Sequence, residues 1–513
     1  GIPTADTEVS FLLSLKMKNL HVLDRLTTSL TTPGSPSFRK WKSMQELNEI
    51  TRPDQQETKK LLDWLSLRNL KGKHFGNFIR VTGPIRDIEE SFDVAYLTFG
   101  NTWDTRSPNI HRSLTRPSIP APFIGFIEII SGISDFPVPS KKNKVTTREI
   151  SEDDDPKLYY MVPQTLYNQY QVPNVTAVAS SPKSSQGVAE FGPKYGIVPS
   201  DLTTFMNLTN GDVHAKLNYT VGNFVEADYS EASLDVQYIM AMAPGVPTSM
   251  YVIDGWMLEF VALIQERLEE NLHVPSVFSV SFGWREDDQC GSPTAKGCGP
   301  FSNTQYVEAC NIGFQKMGLA GISVFVSSGD AGTAPYCVVR TPTLNAEYPA
   351  ASNYVTAVGG TMYSSASVLA SNIPPFCTDS SLTGPNVCAG NGTEVVCSTF
   401  EALITSGGGF SNITSMPQWQ TSVVEAYLNS NAVIPPSSMF NDQGRAIPDI
   451  SALAHHYMIV LNGRTHAIDG TSASSPAVAG MFAMINDYLL ERGENTLGFV
   501  NPALYAAYSN EKS

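Results

Sequence analysis

Two segments of the chain carry residue types at spacings that could do acyl-transfer chemistry. In DGTSASSPAVAGMFAMINDYLL a glycine turn runs into an apolar helix, with Ser472 at its start and Pro476 about one turn later. A helix N-terminus offers unpaired N–H groups and a positive dipole end, as an oxyanion needs once a serine hydroxyl has attacked a carbonyl. The same serine could simply cap the helix. In YSEASLDVQYIMAMAPG, Glu231 and Asp235 are four residues apart, which puts both carboxyls on one helix face about 6 Å apart along the axis. No Lys or Arg occurs between Lys216 and Arg267, so one shared proton is the cheapest relief for two buried like charges. Such a pair can relay a proton. An acidic first turn favoured by the dipole is the structural alternative. A third acid, Asp330, ends the apolar run ISVFVSSGDAG; alone it reads as a turn residue after a strand.

The elements around these residues resemble an α/β protein. VFSVSFG, ISVFVSSGD and YVTAVGGT read as strands separated by helical or loop segments, the pattern of a parallel sheet. Catalytic groups of open α/β sheets gather at the carboxyl ends of strands, and several of these strands end in Gly-rich turns. Before them, residues 8–30 start as a strand and continue with helical spacing, and KKLLDWLSLRNL is an amphipathic helix. NFIRVTG and AYLTFGN read as strands flanking the helix IRDIEESFD, so this region is a small α+β domain. The polar stretch 138–156 is the expected boundary, an exposed and cleavable linker. The expected division is therefore 1–140, a linker at 141–157, and 158–513.

At 513 residues the chain exceeds the size of a single core. Its 42% hydrophobic and 16% charged residues are those of an ordinary globular protein, and no stretch is long and apolar enough to span a bilayer. A net charge of −15, from 49 acids against 34 bases, opposes phosphate backbones, which argues against a nucleic-acid partner. Sequons at Asn174, Asn207, Asn218, Asn391 and Asn412 fit a glycosylated enzyme of the secretory route, lysosomal, in another acidic vesicle or secreted. Seven cysteines between 290 and 397 fit a few local disulfides in an oxidising compartment, and their spacing suggests no zinc or redox site.

Gly-Thr-Ser-Ala-Ser-Ser-Pro followed by a small-residue helix resembles the nucleophile segment of the subtilisin-like clan. None of the eight histidines stands in the His-Gly-Thr setting of a subtilisin base. Glu-Ala-Ser-Leu-Asp-Val-Gln-Tyr instead resembles the acid helix of the sedolisins, the serine-carboxyl peptidases, and SSGDAG, YPAASNYVTAVGGT, SGGGFSN and RAIPDISALA resemble further segments of that family. The resemblance implies a subtilisin-like α/β domain behind a ferredoxin-like prodomain. It implies Ser472 as nucleophile, Glu231 as general base and acid, Asp235 as its orienting partner, and Asp330 as the protonated carboxyl that donates to the oxyanion. Ser281, Gly283, Gly407, Gly408 and Gly409 would offer backbone to an extended peptide substrate. The prodomain would inhibit the site until acid triggers its removal, and a carboxyl base with a carboxylic oxyanion donor would confine activity to acid.

The family also implies a bound calcium, but its loop lies beyond the helix after Ser472 and is absent from a chain that stops at Ser513. The odd cysteine count fits a lost partner for Cys337 in that tail. The stretch 365–400 resembles an insertion without an assigned role. The leading expectation is a tripeptidyl aminopeptidase zymogen; the alternatives are a family endopeptidase and a noncatalytic structural or binding member.

Overall fold

The strand Glu8–Leu15 is buried on both faces along its second half, with Phe11, Leu12, Leu13 and Leu15 at most 1% exposed. An apolar run of this kind suits the middle of a covered sheet. The computed structural model, which describes residues 1–100, 109–135, 148–149, 160–172, 181–289, 301–333, 343–364 and 392–511, places it there. Four antiparallel strands run in the order Lys71–Phe75, Phe78–Pro84, Glu8–Leu15, Ile127–Ser131. Helices Leu20–Thr31, Gln55–Ser66 and Ile85–Phe92 fall between them in sequence. This is the expected ferredoxin-like unit. Tyr96–Phe99, read as a strand, pairs with Ile110–Ser113 in a separate hairpin.

The second sheet runs in the order Glu394–Val396, Thr356–Tyr363, Ser323–Ser327, Val277–Val280, Gln186–Phe191, Thr248–Ile253, Tyr219–Val221, with Ile450–Leu453 also beside Thr356–Tyr363. Every pairing is parallel except that of Glu394–Val396. Helices cover both faces, as side-chain alternation shows. Val188, Met250, Val277 and Phe325 join the core of helices Ser230–Met242 and Thr471–Glu491. Their neighbours Ala189, Tyr251, Phe278 and Val326 join that of Met257–Glu269 and Asn303–Leu319. The subtilisin-like architecture is thus a doubly covered parallel sheet, and the core of Met257–Glu269 continues unbroken into the ferredoxin-like unit.

Most of the stretch expected to be a linker lies outside the described residues, but 148–149 form a short strand against Arg464–Ile468. Cys310 and Cys397 are buried free thiols, so neither is one of the local disulfides expected among the seven cysteines; burial pushes both upward from the usual thiol range. The other five cysteines, and 365–391 of the expected insertion, lie outside the described residues. No helix among the described residues is long and apolar enough to cross a membrane.

Candidate active site

Two helices bring the sequence-predicted residues together. The helix Ser230–Met242 carries Glu231 and Asp235, and the helix Thr471–Glu491 carries Ser472 in its first turn. They touch at Gly480, where a Cβ would lie 2.8 Å from both the Ile239 carbonyl oxygen and the Met242 Cβ. Any side chain there would push the helices apart. Pro476 has no N–H to give the carbonyl four residues back, so Ser472 O lacks its helical donor. The Ser281 hydroxyl stands 3.5 Å from that oxygen.

Ser472 Oγ lies 3.5 Å from the Ser281 carbonyl, and Glu231 stands close enough for the serine hydroxyl to act on its carboxyl, whose Oε1 has no hydrogen-bond partner among the described residues. Burial pushes Glu231 up to about 8, the Ser472 hydroxyl pulls it back, and the charge of Asp330 raises it. Asp235 is fully buried, with Oδ1 accepting from the Ser281 hydroxyl at 2.9 Å. Burial raises it well above the usual carboxylate range, and the charges of Glu231 and Glu190 add to that. Ser281, expected to offer backbone to substrate, therefore also ties the acid helix to the nucleophile helix.

Asp330 follows the strand Ser323–Ser327. Its Oδ1 accepts from both Thr471 N (2.7 Å) and Thr471 Oγ1 (2.9 Å). Asp330 Oδ2 and Ser472 Cβ flank Gly470, each 3.5 Å from where a Cβ on that glycine would stand. Burial raises Asp330, the Thr471 donors lower it, and Asp469 raises it further. A raised carboxyl next to the nucleophile can hold a proton and donate it in a hydrogen bond.

Sequence reasoning missed two acids. Glu190, in the wholly buried strand Gln186–Phe191, has no partner for either carboxyl oxygen among the described residues, and burial and Glu231 raise it well above the usual range. Glu347, beside the cis Tyr348–Pro349 bond, is raised to about 8 by burial and by Asp330. Both stand in apolar surroundings in the sequence, and a lone acid in an otherwise apolar segment is the signal that could have found them.

The glycine triplet Gly407–Gly409 lines a cavity beside the Asp330 turn. Gly407 N donates to Gly329 O at 2.6 Å, its carbonyl accepts from Ser328 Oγ at 2.9 Å, and a Cβ would lie 1.9 Å from Ser328 O. Gly407 therefore buttresses the Asp330 turn, because only a residue without a side chain fits against that carbonyl. Gly409 opens a strand paired with Gly444–Ile447, and Gly408 lies between. Gly283, half-buried, lies beside Glu347.

His455, His456 and Asp469 are the one group among the described residues that could bring three ligand atoms together. The stacked imidazoles are not the all-oxygen set that calcium takes. Asp469 already accepts from His456 N and from Leu403 N, and its Oδ2 lies 3.0 Å from His455 Nδ1. The sequon residues Asn207, Asn218 and Asn412 are exposed; Asn174 and Asn391 lie outside the described residues.

Residues 1–136 match the family model "Pro-kumamolisin, activation domain", and residues 258–495 match the "Subtilase family". The fold and these matches define a subtilisin-like serine peptidase made with an activation domain. The chain is 31% identical to physarolisin of Physarum polycephalum, over 100% of this chain and 86% of that protein. It is 28% identical to tripeptidyl-peptidase 1 of Canis lupus familiaris, over 98% and 84%. The structure of Pseudomonas sedolisin complexed with pseudo-iodotyrostatin aligns at a TM-score of 0.48 and 22% identity, covering 69% of this chain and 86% of that one. The chain belongs to the sedolisin family of serine-carboxyl peptidases.

Proposed function

We propose that the protein is the zymogen of an acid-acting serine-carboxyl peptidase that releases tripeptides from free N-termini through an acyl-enzyme on Ser472. The observation that carries this reading is the convergence on Ser472 of Glu231, whose carboxyl feels the serine hydroxyl, of Asp235 one helical turn behind it, and of Asp330, which accepts from Thr471 next to the nucleophile. In the proposed reaction Ser472 Oγ bonds to the scissile carbonyl carbon while its proton passes to Glu231. The carbonyl oxygen, now negative, accepts a hydrogen bond from protonated Asp330. When the carbon–nitrogen bond breaks, the leaving amine takes the proton from Glu231. Water then repeats the sequence on the acyl-enzyme, and Ser472 recovers its hydrogen.

The carboxyls explain the roles. Burial, and after it the charge of Glu231, raises Glu190 and Asp235 well above the usual carboxylate range. Asp235 then stays protonated beside the base and steadies its anion. Access of water to Glu231 in the activated enzyme lowers it toward the acid range. As pH rises, Asp330 loses the proton it must donate, and activity falls. The tripeptide length rests on the likeness to tripeptidyl-peptidase 1, and the exposed sequons support an acidic compartment of the secretory route.

The test is to incubate the chain at about pH 4, where carboxyls titrate, following mass and two substrates. One is a free-N-terminus tripeptide with a C-terminal fluorophore; the other is an internally quenched peptide with a blocked N-terminus. Loss of about the first 150 residues with turnover of the free tripeptide alone supports the proposal. Turnover of the blocked peptide makes the enzyme an endopeptidase. An intact, inactive chain overturns the reading in favour of a binding role.

A further inference from the structure

A cavity of about 680 Å³ lies at the end of the helix Ser230–Met242 away from Glu231. Ten residues separate Glu231 from Ala241 in its wall, about 15 Å along the axis. The other walls are the helix Pro163–Gln169 and most of the loop 209–218, which leads into the strand Tyr219–Val221. The Tyr167 hydroxyl donates to Ala241 O and ties the first of these to the acid helix. The volume suits a small ligand. Asp212 and Lys216 line the cavity together, so their charges balance, and the amides of Gln164, Asn210 and Asn218 add donors and acceptors beside the Tyr167 ring. A neutral ring bearing hydroxyls and an acetamido group matches such a lining; an ion does not.

Asn218 is also the acceptor of the sequon Asn218-Tyr219-Thr220. Its backbone N donates to Thr248 O at 2.8 Å, and its Oδ1 accepts from Thr248 N at 2.8 Å. These two bonds fix the amide at the rim of the cavity. Its Nδ2, the atom that carries an N-linked sugar, donates to no described residue, and both Asn218 and Thr220 are exposed.

We propose that this cavity is a carbohydrate site filled by the chain's own glycan, the first N-acetylglucosamine on Asn218 lying against the end of the acid helix. The inference rests on the secretory-route part of the reading above, because the linkage is made there. Asn218 Nδ2 bonds to the anomeric carbon of a sugar carried on a lipid diphosphate. The bond from that carbon to the diphosphate oxygen breaks, the diphosphate leaves, and the amide gives up one proton to solvent. Seated in the cavity, the sugar meets the amides of Gln164 and Asn210 through its polar groups and the Tyr167 ring through its apolar face. It thereby restrains the helix that positions Glu231 and Asp235.

The experiment uses the full chain from a secreting eukaryotic host, with each sequon peptide weighed by mass spectrometry. Peptide N-glycosidase hydrolyses the bond between sugar and Nδ2 and leaves aspartate, so release is read as a mass change at each site. Asn218 should carry a glycan and lose it from the native protein at least about tenfold more slowly than Asn207 and Asn412 lose theirs, because the sugar must first leave the cavity. After denaturation the rates should be equal. Thr220→Ala removes the sequon without altering Asn218 and should lower the thermal midpoint by roughly 2 °C or more. Thr220→Ser keeps the sequon and should stay at the wild-type value. A bare Asn218 in a chain glycosylated at Asn207 or Asn412 overturns the proposal. Native release from Asn218 as fast as from the other two does so as well, since it puts the sugar in solvent, and so do equal midpoints in the two Thr220 variants. No glycan at any sequon removes the secretory reading, and this inference with it, while the peptide assays above still decide the peptidase.

Discussion

Acidic side chains are treated in opposite ways at the two ends of this molecule's large core. Where the ferredoxin-like unit docks, the helix Met257–Glu269 and its end present Glu259, Glu266, Glu269 and Glu270, and the smaller unit answers each. Arg80 pairs with Glu259 at 3.2 Å and Glu266 at 3.4 Å, and Lys73 with Glu266 at 2.7 Å and Glu270 at 2.5 Å. Gly76 N and Asn48 Nδ2 donate to Glu269 Oε1. At the nucleophile, Glu190, Glu231, Asp235, Asp330 and Glu347 sit together without a Lys or Arg contributing to any of their shifts. Paired carboxylates hold two units together. Unpaired buried ones hold protons, and a site that must give and take protons needs the second arrangement.

The comparison is broken most severely at the nucleophile. Ser472→Ala should abolish peptide hydrolysis, by on the order of 10⁵-fold or more, and self-cleavage with it, while circular dichroism and thermal unfolding stay near wild type; normal processing of that variant would assign maturation to another protease. Glu231→Gln should cost nearly as much, since the amide cannot accept the serine proton.

Asp330→Asn should cost less, roughly 10² to 10³ in kcat. The amide can still accept from Thr471 and donate toward the oxyanion. Because it cannot ionise, the residual activity should decline less steeply towards neutrality than that of wild type. A pH profile of the mature form checks this, and an unchanged slope would remove Asp330 from the acid requirement.

The protons of the unpaired cluster should also be visible in stability. Glu190, Glu231 and Asp235 are raised in the folded state, so each favours folding most below the unfolded carboxyl value and loses that contribution as pH rises through its folded value. Thermal unfolding of the chain should therefore occur at lower temperature at pH 8 than at pH 5, and Glu190→Gln should narrow the gap. Asp469 is lowered, despite its burial, by His455 and the His456 backbone, and acts oppositely. Its contribution is lost only below the ordinary aspartate range, outside this window.

The paired interface should respond in proportion to burial. Arg80→Ala leaves Glu259 buried and unpaired, and should weaken the folded full chain by roughly 2 to 5 kcal/mol in denaturant unfolding. Lys73, about half exposed, should matter less, with Lys73→Ala costing roughly 0.2 to 1 kcal/mol. Equal effects would mean that the two pairs differ less than their exposure implies.

Much of this was legible beforehand for physical reasons. Short apolar runs ending in Gly-rich turns marked the strands at 277–280, 323–327 and 356–363, and these are neighbours in one sheet. The four-residue spacing of Glu231 and Asp235 placed both on one face because helix geometry allows nothing else. Ser472 at the start of an apolar helix was readable as a nucleophile with donors beside it. Local sequence settles such matters, since propensity, spacing and capping act over a few residues.

What the chain order could not show is which distant segments meet. Gly407 read as open backbone for a substrate, and its lack of a Cβ also serves contact with Ser328, 79 positions away in the chain. Glu190 and Glu347 looked like ordinary acids until strand register put one behind Glu231 and the other beneath Gly329. A carboxyl's protonation depends on desolvation and on the charges within a few ångströms of it. Those are properties of the packed core, and only the tertiary structure decided them.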